Sequence, residues 1–173
     1  GAVTITDSQA GVTFSGTVDA TTLTVSDTTG TVTFQGDVNA TTLATTANGY
    51  NLQFDEDVTV TNDVSFAQTG TLTMGNGTDD IATFNGGVDT TGVGGTVTLS
   101  GTVQTSGDQL DLGAISLGNN TTVQTTAGGS TAGAVLNIGA VTGGSNDLTV
   151  DSGTGGAITV SGAVAGVGTL DIT

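Results

Sequence analysis

The chain has 173 residues, 30 of them Gly, and Thr outnumbers even Gly; Lys, Arg, His, Pro, Cys and Trp are all absent. Its 16 charged side chains are all acidic, giving a net charge of −16, which disfavours nucleic acid and anionic membrane as partners and makes cations the natural counter-ligands. Without His, Cys or Lys there is no ordinary catalytic triad, no Schiff-base lysine, no His/Cys zinc site and no disulfide.

Low charge does not mean disorder here. Mean hydropathy is +0.19, and Val, Ile, Leu and Thr favour strands while Gly supplies turns. No apolar run approaches the length of a membrane span. The chain opens without an initiator Met or a signal peptide, so it is expected to be a processed chain or an excised segment.

In chain order, Ala2-Val3-Thr4-Ile5 is already strand-like. Residues 11–23, GVTFSGTVDATTL, are followed 20 positions later by TVTFQGDVNATTL at 31–43. The shared phrase is apolar-Thr-apolar-x-Gly-x-Val. A looser copy runs Leu52-Gln53-Phe54-Asp55-Glu56-Asp57-Val58, and closer ones run from Val97 to Val103 and from Ile158 to Val164. These mark coil starts at Val12, Val32, Leu52, Leu72, Val97, Ile115, Leu136 and Ile158. A second inward position falls near +6, at Val18, Val38, Val58, Val103 and Val164. A further pair falls near +11 to +13, at Leu23/Val25, Val64/Phe66, Leu110/Leu112, Leu148/Val150 and Leu170/Ile172. Period-two alternation in each segment means strands with one buried face.

A repeat of this size cannot bury its apolar face alone, so neighbours must stack. The predicted fold is all-β: a parallel β-helix, or β-solenoid, three-faced and right-handed by the crossover rule, with about eight coils of roughly 20 residues spanning 1–173 as one segment. Phe14, Phe34, Phe54 and Met74 should form one interior ladder, and Val18, Val38 and Val58 another. A sandwich of hairpins would not repeat one phrase at a fixed step.

The phrases VTFSGTV (12–18), VTLSGTV (97–103) and TGGAITVSGAVAGVGTLDIT (154–173) resemble the solenoid repeats of giant bacterial surface proteins, the filamentous haemagglutinin-like and autotransporter-like adhesins. The resemblance implies secretion, a cell-surface location and a scaffold role. It carries over no catalytic or binding residue, and the total lack of basic residues departs from the family pattern.

Candidate sites are few. The coil from Leu72 to Val97 is about five residues long in excess, placed in Gly75-Asn76-Gly77-Thr78-Asp79-Asp80. Asn76, Asp79 and Asp80 there, and Asp55 and Asp57 in the preceding coil, are oxygen ligands of the kind calcium takes; the competing reading is a turn whose Asn and Asp cap its own backbone. Glu56 occupies the corner position of Gly16 and Gly36, costly for a carboxylate unless it turns to solvent or meets an ion. Asp55, Glu56, Asp57, Asp79 and Asp80 are also the only pairs open to two-carboxylate glycoside chemistry, but no Trp surrounds them and an enzyme is not expected. Outward Thr31/Thr33, Thr71/Thr73 and Thr96/Thr98 could form a flat ice-binding array, interrupted by Gly11, Asn51 and Gln53.

The expectation is therefore a non-catalytic extracellular structural segment of a filament, sheath or adhesin stalk, associating with itself end to end or with flanking repeats. It needs no cofactor, and divalent cations are possible partners. The alternative is an adhesive module recognising a ligand on one face, for which Tyr50 and the 75–80 loop are the available features.

Overall fold

A computed structural model describes residues 1–26 and 28–173. The chain is a parallel β-solenoid of eight coils, each strand pairing in parallel with the strand one coil away. The one helical element among the described residues is a short 3-10 turn, Ala127–Gly129. Among them, too, no helix is long and apolar enough to cross a membrane.

Three stacks of strands make three faces. Face I begins with Val12–Phe14, Thr31–Phe34, Asn51–Phe54 and Leu72–Met74. Its register runs Val12, Val32, Leu52, Leu72, Val97, Ile115, Val141 and Val164. Face II runs Val18, Val38, Val58, Ala82, Val103, Val123, Val150 and Ile172. Face III is in two pieces. Val3, Leu23 and Leu43 continue the face II strands through a corner, whereas Val64, Val88, Leu110, Leu136 and Ile158 form a separate five-stranded sheet. The break falls where the spacing slips from 20 to 21 residues. There Thr45 bridges with its side chain, Oγ1 donating to Ser65 O (3.3 Å) and accepting from Ala67 N (2.9 Å).

The core is the line of inward residues from all three faces. Phe14, Phe34 and Phe54 stack with ring centroids 4.9 and 5.2 Å apart and planes within 11° of parallel. The ladder predicted from the 20-residue spacing is therefore present, and Met74 continues it. Corner amides repeat the same period: Gln35 N, Asp55 N and Gly75 N donate to Phe14 O, Phe34 O and Phe54 O. With coils about 4.8 Å apart, the stack is a rod roughly 38 Å long.

Two coil starts read from the sequence are corrected. Leu136 and Ile158 lie on face III, in register with Leu110; the last two coils reach face I at Val141 and Val164. Val164 is thus a face I residue, and Leu148/Val150 and Leu170/Ile172 belong to face II. The cause is physical. The phrase encodes strand, tight Gly corner, strand, and any corner can use it: at Val97–Val103 it turns from face I to face II, at Ile158–Val164 from face III to face I. The phase slips at a lateral excursion between Thr125 and Leu136, which carries the 3-10 turn and no inward apolar marker until Leu136.

Candidate functional site

The corner between faces I and II holds the acidic candidates. Register makes its inward column Gly16, Gly36, Glu56, Asp80, Gly101, Thr121, Leu148 and Leu170. Gly suits this position because coils meet closely there. A Cβ on Gly36 would lie 2.7 Å from Gly16 C, and one on Gly101 2.2 Å from Asp80 O, with Gly101 at φ +70. Glu56 escapes the crowding by turning outward into solvent. It stands beside Asp80, and Asp80 foremost, then partial desolvation, Asp37, Asp57 and Asp79, push its carboxyl above the ordinary range.

The long coil is long where the sequence placed the excess. Phe54 to Val58 crosses this corner in four positions and Met74 to Ala82 in eight. The loop is tied by Asp80, a buried residue whose Oδ2 accepts from Asn76 N (2.6 Å) and Gly77 N (2.8 Å) while its backbone O accepts from Thr102 N (2.8 Å). Exposed Asn76 is held through its carbonyl, which accepts from Asn119 Nδ2 (2.9 Å). Asp57 Oδ1 accepts from Ile81 N (2.7 Å), and Asp55 Oδ1 from Gln53 Nε2 (2.6 Å). Asp79 is exposed. The structure thus gathers Glu56, Asp57, Asp79 and Asp80 at one corner, but turns Asp57 and Asp80 onto backbone amides. Among the described residues no group of three or more acidic side chains is arranged to hold a metal ion. The geometry is that of a self-capped turn.

Tyr50 is no surface aromatic. It is fully buried, its hydroxyl donating to Val25 O (3.1 Å) and accepting from Thr46 N (3.1 Å). Burial pushes the phenol above its usual pKa, against the opposing effect of its hydrogen bonds with Thr46 and Thr45. This corrects its reading as a feature for an adhesive face. Sequence reasoning also missed Gln68, fully buried at the turn from face III to face I with neither amide atom paired. Its only sequence signal was a Gln flanked by small residues.

The ends carry the largest apolar exposure. In the last coil Val164, Leu170 and Ile172 are 40%, 44% and 52% exposed, whereas Val141, Leu148 and Val150, their partners one coil inward, are at most 2% exposed. In the first coil Val3, Val12 and Phe14 are only partly covered. Comparison with protein-family profiles, curated proteins and solved structures finds no match.

Proposed function

We propose that this chain is a non-catalytic structural segment of an extracellular bacterial filament, sheath or adhesin stalk, extended by stacking coil upon coil. The repeat style shared with the surface adhesins supports the setting. The observation that carries the proposal is the contrast at the rod ends: residue types wholly buried inside are half exposed there, beside strand edges whose backbone donors and acceptors have no further coil to pair with. One more coil of the same kind, from flanking repeats of the chain or from a second copy, would cover them. Cations act in this reading as counter-ions to the acidic corners, not as a cofactor.

The register makes the contact testable. Ile172 stands in the column of Val18 and Leu170 in that of Gly16, so head-to-tail stacking seats Leu170 of one copy against Gly16 of the next. Gly16 has nothing within 4 Å of a Cβ position, while Gly36, one coil inside, has backbone at 2.7 Å. Gly16→Ala should therefore fold normally and yet obstruct a stacked coil. In sedimentation velocity the parent chain is expected to grow with concentration and Gly16→Ala to remain short, with the same circular dichroism. A parent chain that stays monomeric at every concentration, or a Gly16→Ala chain that grows equally well, would refute the proposal.

A further inference from the structure

Charge is distributed unevenly over the three faces. The outward columns of face II carry Asp19, Asp37, Asp57, Asp151 and Asp171, and those of face III carry Asp63, Asp89 and Asp111. Face I has none. One of its outward columns runs from Thr13 through Thr33, Gln53, Thr73 and Thr98 to Ala165, the other from Gly11 to Ala163, and neither holds an acidic residue in any coil. Every position in both columns is exposed or half-exposed.

The faces also differ in what their polar side chains do. On face II amides bond along the rod: Asn39 Nδ2 donates to Asp19 Oδ1 (3.0 Å), Gln104 Nε2 to Thr83 Oγ1 (2.8 Å) and Gln124 Nε2 to Gln104 Oε1 (2.7 Å). On face I Asn51 bonds along the rod in the same way, Nδ2 donating to Thr31 Oγ1 (3.4 Å) and Oδ1 accepting from Thr71 N (2.9 Å); the hydroxyls of Thr33, Thr73 and Thr98 have no such partner among the described residues, so they remain free to bond outward.

We infer that face I is a lateral contact surface whose occupant is face I of a second copy of this chain. Two rods that each carry −16 repel. Only by meeting through face I do they approach without opposing columns of carboxylates, and like-charge juxtaposition on the other faces acts against any other pairing. Its two columns carry no charge and consist of Thr, Ser, Ala and Gly apart from Asn51 and Gln53, so two copies of the face can meet without repulsion. It offers roughly 500 Å² per rod from strand spacing and width, below the ~800 Å² per partner of a standard stable interface. Pairing of single chains is therefore weak, and it strengthens as end-to-end stacking lengthens the face. In that second step the inference rests on the proposed filament.

The chain has no Cys, so single cysteines report contacts without background. Thr98→Cys lies on face I and Thr122→Cys, one coil further on and likewise half-exposed, on face II. With a short bis-maleimide linker and rising protein concentration, Thr98→Cys is expected to give covalent dimers at least several-fold faster than Thr122→Cys. Adding Thr33→Asp and Thr73→Asp should remove that preference while leaving circular dichroism unchanged. Equal cross-linking on the two faces, the result if face I instead takes a neutral polymer or nothing, overturns the inference; so does a preference that survives the added charges. Following end-to-end growth of the parent chain in the same samples separates the two readings. A face I preference in a parent chain that shows no end-to-end growth refutes the filament alone, and growth of the parent chain without a preference refutes lateral pairing alone.

Discussion

The first coils and the last hold the same fold by different means. From Val12 to Leu72 every step on face I is 20 residues, so like residues fall on like: Phe on Phe on Phe inside, Val on Val on Val at the next face. From Leu72 onward the face I steps are 25, 18, 26 and 23 residues. The aromatic ladder ends and loops of different length leave at different corners, although like residues still meet on face II, as Thr102-Val103-Gln104 on Thr122-Val123-Gln124. The register survives through backbone pairing, through Gly in left-handed conformations such as Gly101, Gly107, Gly133 and Gly153, and through buried hydroxyls that close the corners. Thr125 Oγ1, for example, donates to Ala134 O and accepts from Ala134 N across the lateral excursion. A solenoid needs constant strand pairing; constant repeat length is a separate property, and here it accompanies the stacked aromatic ladder.

That contrast predicts where substitutions hurt. The largest effect is expected from Phe34→Ala, which removes the central ring of the ladder at a fully buried site and should cost ~3–5 kcal/mol in denaturant titration. Ile172→Ala, half exposed in the last coil, should cost less than ~1 kcal/mol. Equal losses would mean that the regular half is not the stabilising half.

Next come the corners. Gly101→Ala meets Asp80 O at 2.2 Å and keeps a positive φ, so a loss of ~2–3 kcal/mol is expected. Gly16→Ala in the same column should stay within ~0.5 kcal/mol of the parent. A similar melting temperature for both chains would contradict the column as assigned.

A smaller difference is expected within the long loop. Asp80→Ala frees two backbone amides at a buried position and should cost ~1–3 kcal/mol, whereas Asp79→Ala, at an exposed position, should be near neutral. If Asp79→Ala proved the more damaging in thermal melts, the loop would be held otherwise than by its own cap.

The smallest effect concerns pH. Neighbouring carboxylates raise the folded-state pKa of Glu56 above its unfolded value. The contribution of that proton to stability is therefore full below the unfolded pKa and lost as pH rises through the folded one. Glu56→Gln should melt slightly higher than the parent at neutral pH, with the gap closing as pH falls through the raised folded pKa and gone below about 4. A gap that widens in acid would reverse the sign assigned to the corner.

Much of this was legible before the fold was known. Exact 20-residue recurrence announces the stack, and alternation within each segment assigns Phe34 inward and Thr33 outward. Glu56 was placeable over Gly36 by counting, and the cost of burying a carboxylate left it either solvent or an ion; it turns to solvent. The extra residues at 75–80 were visible because apolar markers flank them closely. The phase of the last two coils was not legible, because a strand-corner-strand phrase does not say which corner it turns. Tyr50 looked available for binding because a sequence does not show that Val25 O waits inside for its hydroxyl. The neutrality of face I emerges only when register has sorted the outward residues into columns.

The most direct test of the central claim is electron microscopy of the purified chain over a range of concentrations. Growth by coil stacking predicts unbranched rods, single or laterally paired, whose lengths fall at multiples of roughly 38 Å, eight coils at the strand spacing. Compact particles of one size at every concentration, or fibres whose lengths bear no relation to that unit, would contradict it.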